Sequence, residues 1–414
     1  MKKNRVKAAL ERLEACTRMI DVWTTRADRL QDETPQSRLK LKFSASLGTI
    51  QENATKVHQV ISRNWCNDNP VHVARLLLEQ RLVRSKKTKR PLQAASLNLV
   101  AQATCFGLSL RGDCNASSQW LNSEIKIDEL PSSSAGTVRM TISVPEDDHD
   151  PTNLQHITSL CKVVRQPPHP FVVFCLNDKG CLKSRPSLKE TAADYVQQSL
   201  SLEALLPHFE AKLPITEVYG LAITLIASIF QLNHTPWLET KWSKRDIVFA
   251  RANSNMPLTV DLRYPSLVKK FYQGALLQIS TSKSSQLIQK LGASPRRPDP
   301  TPVNRTCSNL LALAIMLLEI SSGRPVERRL GDDQIINVLP NDQSGLQLAE
   351  GWLKEEKSHG RLSCAFSQAI LACLQGYLNP DANFDDDEYC NAFKEKALLP
   401  LEEEMEFLLF GPPK

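Results

Sequence analysis

Long apolar runs are missing from this chain. Its most apolar stretches, Tyr219–Phe230 and Leu310–Ile320, fall short of the roughly 20 residues that span a bilayer. Residues Met1–Leu30 are charged throughout and lack the apolar core of a secretory leader. No two of the 11 cysteines are spaced as CxxC, and their odd number and scatter fit free thiols in a reducing compartment better than a disulfide framework. On that reading the N-x-S/T matches at Asn53, Asn115, Asn233 and Asn304 are chance. Neither sign of charge dominates, since +6 over 414 residues is too mild to single out nucleic acid as a partner. The expectation is a soluble protein of the cytoplasm or the nucleus.

What is present is ordinary globular composition, 42% apolar and 23% charged, over a length sufficient for two or three domains. Val6, Leu10, Leu13, Cys16, Ile20, Trp23, Ala27 and Leu30 are spaced by threes and fours, which predicts one face of a helix. Pro35 breaks it, and a second stripe runs from Leu39 through Phe43, Leu47, Ile50, Ala54 and Val57 to Ile61. The pair reads as a helical hairpin. Short Val-, Ile- and Leu-rich runs follow at Val73–Leu82, Glu124–Ile127, Thr137–Val144 and Phe171–Leu182, with Asn177-Asp178-Lys179-Gly180 as a hairpin turn. Asn153–Val164 reads as the one helix among them, so a small antiparallel sheet with one helix is expected. From Leu202 the pattern is helical again. Leu310–Ile320 has no polar face and must be buried on every side, ending at Gly323 and Pro325. Ser280–Pro302 reads as a loop, and Ala365–Leu409 as two or three amphipathic helices around the acidic stretch Asp385–Glu388.

Several of these segments carry a resemblance. Asn309-Leu-Leu-Ala-Leu-Ala-Ile-Met-Leu-Leu-Glu319-Ile-Ser-Ser-Gly323-Arg-Pro325 resembles the central helix of protein kinases, including its Gly-Arg-Pro stop. Leu221–His234 resembles the helix before a kinase catalytic loop. Lys244-Arg-Asp246-Ile-Val-Phe249 stands where kinases carry K-P-x-N-I-L-L, and Pro257-Leu-Thr-Val-Asp261 where they carry the strand into D-F-G. More narrowly, Trp65-Cys66, His72, Thr235-Pro-Trp237-Leu, Trp242, Asp246–Phe249 and Leu311–Pro325 resemble an uncharacterised fungal family of kinase-like domains. That family often follows a helical region of the HeLo or prion-inhibition type, found among fungal self/non-self recognition proteins. Its pattern has a second Cys two positions after the first, where this chain has Asp68. Tetrahedral zinc needs four ligands, so Cys66 and His72 without a second pair read as structural residues.

The resemblance implies an α+β, kinase-like bilobal fold: a helical hairpin region over 1–66, a small sheet lobe over 67–200 and a larger helical lobe over 201–414. Phosphoryl transfer needs a phosphate cradle, a strand Lys, metal ligands and a base. No G-x-G-x-x-G precedes Glu203, Thr137–Val144 contains Arg139 but no V-A-I-K, and Asn153–Val164 has no acid for a Lys–Glu pair. Glu239-Thr240-Lys241 falls where H-R-D belongs, and Leu262-Arg263 replaces Phe-Gly after Asp261. The expectation is therefore no catalytic residue, no metal and no cofactor, in a non-catalytic scaffold or signalling module with a protein partner. The alternative is a divergent phosphotransferase that uses Asp246 and Asp261 to hold a metal–nucleotide. A basic run, Arg81, Arg84, Lys86, Lys87, Lys89 and Arg90, reads as an exposed loop, since no aromatics interleave to stack bases.

Overall fold

A computed structural model describes residues 40–66, 71–85, 104–112, 120–128, 155–167, 169–186, 195–209, 214–238, 242–252, 260–272, 302–328 and 342–411. The first expected helix, the strand at Thr137–Val144 and most of Ser280–Pro302 lie outside these residues. The chain divides into two compact units, residues 1–41 with 84–91, and residues 42–83 with 92–414. The second carries the elements that position the site.

After β1 (Lys40–Phe43) comes α1 (Leu47–Asn64). The second stripe had placed helix from Leu39, but Ser46 starts it later: its hydroxyl accepts the Thr49 N–H at 3.1 Å, a side-chain cap that fixes the boundary. Ile50, Asn53, Ala54, Val57, Val60 and Ile61 form the buried face. Asn53 and Asn233, two of the N-x-S/T matches, are buried.

Strands β2 (Val71–Leu77), β3 (Leu82–Ser85), β4 (Cys105–Gly112), β5 (Leu121–Ile127), β6 (Gln155–His156), β7 (Phe171–Leu176), β8 (Leu182–Pro186), β9 (Tyr195–Ser201), β10 (Ile247–Ala252) and β11 (Ser266–Tyr272) follow through the chain. All but β3 join one sheet in the order β6-β8-β7-β5-β4-β2-β11-β10-β9. Every pair is antiparallel except β5 with β7, which run parallel from Asn122↔Phe171 to Ile127↔Leu176. The sheet is thus larger than expected and not purely antiparallel. It also joins strands on both sides of residue 200, because β11 pairs with β2 along its whole length, from Ser266↔Leu77 to Tyr272↔Val71.

The expected helix over Asn153–Val164 is mostly something else. Gln155–His156 pairs with β8, and only α2 (Leu160–Arg165) is helical, its Leu160, Cys161 and Val164 buried. The hairpin at Asn177–Gly180 forms as read: the Asn177 side chain accepts the Cys181 N–H, and Gly180 takes a positive φ of 74°.

The core helices match their periodicity. They are α3 (Leu202–Phe209), α4 (Ile215–Leu232), α5 (Pro302–Ser322), α6 (Asp342–Ser358), α7 (Cys364–Leu378), α8 (Asp387–Phe393) and α9 (Leu399–Phe410), with a π-helical turn at Lys394–Leu398 before the last. Helix α4 extends past Tyr219–Phe230 and is long and apolar enough to cross a bilayer, yet its residues from Leu221 to Leu232 are all buried within the protein. Two of its polar side chains are satisfied within the helix, Thr224 and Ser228 donating to the carbonyls of Gly220 and Thr224, while Gln231 donates to the carbonyls of Glu79 and Gln80. Helix α5 is buried from Leu310 to Ile320 except at Ala312 and Ile315, which are less enclosed, and Gly323 caps it with φ 68°. Helix α7 is its main neighbour and approaches closely, since a Cβ at Gly376 would lie 2.7 Å from Leu310 Cδ1.

One sheet face is the core. His72, Ala74 and Leu76 of β2, Phe106, Leu108 and Leu110 of β4, and Phe174 of β7 are all buried. Helices α1 and α2 lie over this face: His58 packs its ring 4.9 Å from Phe271, and Cys161 reaches His72.

Candidate functional site

The segment aligned with a kinase catalytic loop is a tight turn, residues 243–246, leading into β10. Asp246 does not face an open site from this turn. Its Oδ2 accepts both the backbone N–H and the hydroxyl of Ser243, each at 2.9 Å, and its carbonyl receives the Val268 N–H at 2.8 Å. The carboxylate therefore ties the turn to itself, while the backbone ties it to β11.

Lys244 points inward instead. Its ammonium donates to Glu319 Oε1 at 2.5 Å and to Glu327 Oε2 at 2.6 Å, with Lys244 and Glu319 side chains 9% and 1% exposed. Glu319 Oε1 also accepts the Val326 N–H at 2.9 Å, so one carboxylate holds the 243–246 turn and the stop of α5 together. Burial raises the Glu319 carboxyl above its ordinary range despite the opposing pull of Lys244. Sequence reading missed this pair. Its signal was an acid inside an otherwise apolar helix, which a buried environment tolerates only with a partner.

Asp261 follows the bridge of Val260 to Arg251 and is also engaged. It accepts the Arg263 backbone N–H at 3.0 Å and clamps the Arg263 guanidinium through Nε at 2.8 Å and Nη2 at 2.7 Å. The Arg263 guanidinium thus offsets the Asp261 charge. Neither Asp246 nor Asp261 belongs to a group of three or more candidate metal ligands among the described residues. Lys241, Thr240 and Glu239 lie outside them.

Residues carrying the narrower resemblance are anchors. Trp237 donates its indole N–H to the Ala54 carbonyl at 2.9 Å and meets His58 edge-on at 5.3 Å. Trp242 donates to the Asn309 carbonyl at 3.4 Å, joining the turn to α5. Trp65 stacks on His72 with ring centroids 4.6 Å apart.

That stack borders the densest group of potential ligands. Cys66 follows the end of α1, His72 lies on β2, and Cys161 comes from α2. His72 Nε2 is 3.5 Å from Cys66 Sγ and 3.2 Å from Cys161 Sγ. The Cys66 backbone N–H donates to Cys161 Sγ at 3.3 Å. His72 and Cys161 are buried and Cys66 is partly exposed. Sequence reading paired Cys66 with His72 but had no means of finding Cys161, which lies 95 residues beyond Cys66.

The basic run is not one surface. Arg81 is buried, has φ 46°, and donates to Glu79 at 2.8 Å, Gln231 at 2.8 Å and the Cys105 carbonyl at 2.7 Å. This corrects its reading as part of an exposed loop: a non-glycine residue in the left-handed region persists only where its surroundings hold it, and here three partners do. Residues 86–90 lie outside the described set. On the sheet face opposite His72, Arg75 stacks 3.3 Å above the Trp120 ring and donates to Ser199 Oγ at 2.8 Å. Burial, then the neighbouring Arg111, lowers its pKa to about 10. A separate groove of about 410 Å³ between α6 and α7 is lined by Leu353, Leu371, Leu374 and Leu378 with Lys354 and Lys357, and contains neither Asp246 nor Asp261.

Comparison with known proteins gives one match. The sequence model of a family described as "Domain of unknown function (DUF7580)" fits residues 44–395, most of the chain. No curated protein and no solved structure matches it.

Proposed function

We propose that this chain, which belongs to the DUF7580 family, serves as a kinase-like but non-catalytic scaffold or signalling module that acts through a protein partner. The observation that carries this reading is the fate of the two acids at kinase metal positions. Asp246 is tied to Ser243 and Asp261 to Arg263, so each negative charge or lone-pair set already has a local partner. Catalysis of phosphoryl transfer consists mainly of charges positioned for the moving phosphate. Acids held by their own turns are not available for that task. The buried Lys244–Glu319 pair adds support, since it makes the loop segment a rigid part of the core. On this reading β2 to β9 with α2 correspond to the small lobe over 67–200, and α3 to α9 with β10 and β11 to the large one over 201–414. The link to fungal self/non-self recognition rests on the sequence resemblance.

The test is magnesium-ATP added to the purified full chain. The reading expects no phosphate transfer to a generic substrate or to the chain itself, with or without a thermal shift on nucleotide addition. Magnesium-dependent transfer that is lost in Asp261→Ala but kept in Lys357→Ala, a change in the separate groove, would establish the divergent enzyme instead.

A further inference from the structure

We propose that Cys66, His72 and Cys161 form a zinc-binding site with one coordination position left for a water or an exogenous ligand. The ligand atoms of the three residues all lie within 4.8 Å of one another. Zinc takes thiolates at about 2.3 Å and imidazole nitrogen at about 2.0–2.1 Å, so tetrahedral angles place sulfur and nitrogen about 3.6 Å apart. The observed separations, 3.5 Å and 3.2 Å, need only small adjustments to enclose an ion. Both sulfurs converge on the same Nε2. That nitrogen has either one proton or one lone pair, so simple hydrogen bonding serves one thiol well and the other poorly. A shared cation serves both.

The surroundings fit the same role. Two thiolates and one neutral imidazole bring a divalent ion to zero net charge, which suits a group set between α1, β2 and α2 in the core. The Cys66 N–H donates to Cys161 Sγ, and the Trp65 ring stacked on His72 fixes the imidazole plane. Such outer contacts orient the side chains that would hold the ion and steady their charge. Sulfur and imidazole donors favour zinc over hard cations such as magnesium or calcium. No disulfide joins the two cysteines. An ion here would close an 89-residue span from His72 to Cys161 and pin α2 to β2 and to the end of α1. The fourth ligand that sequence reading sought near Asp68 is not required, because an open position is normal for three-ligand zinc sites.

The full chain is purified under reducing conditions without chelator, and its zinc content is measured by plasma mass spectrometry. One equivalent per chain is expected, retained in Cys364→Ser, whose thiol is exposed elsewhere on α7. Cys161→Ser should weaken zinc binding by more than about 100-fold, since loss of a supporting contact alone costs roughly 10–100-fold. A second measurement needs no variant: Co²⁺ added to the stripped wild-type chain should give thiolate-to-metal charge transfer and tetrahedral d–d bands. It should also protect two thiols from a thiol reagent. Zinc content unaffected by Cys161→Ser, or a wild-type chain that shows no such cobalt spectrum, overturns the proposal. So does protection of those thiols that reductant alone reverses, because that identifies a disulfide.

Discussion

Replacing Lys244 by Met removes the cation that Glu319 faces while keeping the length and most of the bulk of its stem. Glu319 is 1% exposed, so its charge cannot be rehydrated without opening the end of α5. Breaking a buried pair from one side costs about 3–5 kcal/mol, because the remaining charge is uncompensated. Set against a typical domain stability of about 5–15 kcal/mol, that is a large fraction. The pH dependence has a definite sign. In the native protein burial already raises the Glu319 carboxyl above 4.5, so the folded state holds its proton more tightly than the unfolded chain. Stability from this group is fully present below the unfolded value and declines as pH rises through the folded one. Without Lys244 the folded value moves higher still, and the decline extends to higher pH. Urea denaturation should therefore show the Lys244→Met loss larger at pH 7.5 than at pH 5. The double variant Lys244→Met with Glu319→Gln should recover most of it, since Gln is neutral and still accepts the Val326 N–H. A loss below about 1 kcal/mol at pH 7.5, the range of exposed ion pairs, would refute the buried-pair account. Failure of Glu319→Gln to restore stability would do the same.

Leu317→Ala should cost about 2–5 kcal/mol by denaturant titration, because Leu317 is fully enclosed and α5 and α7 are too close to collapse on a cavity. A loss no larger than a surface substitution gives would place that helix elsewhere. Gly376→Ala should destabilise by about 1–3 kcal/mol in the same assay, since its Cβ would meet Leu310 Cδ1 at 2.7 Å and the Tyr389 hydroxyl at 2.8 Å. His58 is held neutral, its pKa lowered to about 4 first by burial and then by Lys269. The unfolded chain takes up the proton nearer 6.5, so stability is present above that value and is lost as pH falls toward 4. Melting temperature followed against pH should show a shallower acid limb in His58→Phe, and an unchanged limb would contradict the assignment.

The elements that the sequence predicted well are those in which one segment reports on itself. The stripes of α1 and α4, the almost wholly apolar stretch within α5 and the Gly323 stop are local patterns whose period or conformation depends on near neighbours. The Asn177–Gly180 turn is legible for the same reason. Errors gather where a competing partner lies far along the chain. Gln155–His156 has helical spacing with its neighbours but finds the edge of β8, and sheet pairing overrides the local pattern. Arg81 reads as part of a solvated basic run, yet Gln231, 150 residues away, and Cys105 draw it into the core.

For the candidate sites the division is sharper. Residue identities alone show which groups stand in the segments that carry the resemblance, such as Lys244 before Asp246 and Arg263 after Asp261. They do not show where those groups point. Folding turns Lys244 inward to Glu319 and returns Asp261 to Arg263, choices set by burial and by the spacing of strands β10 and β11. Composition likewise marks Cys66 and His72 as neighbours and Cys161 as one of several scattered thiols. Only the parallel pairing of β5 with β7, which carries α2 across the sheet between them, brings the third ligand to the same point. Convergence of that kind depends on strand register and on the path of a crossover, and neither is written in the spacing of any one segment.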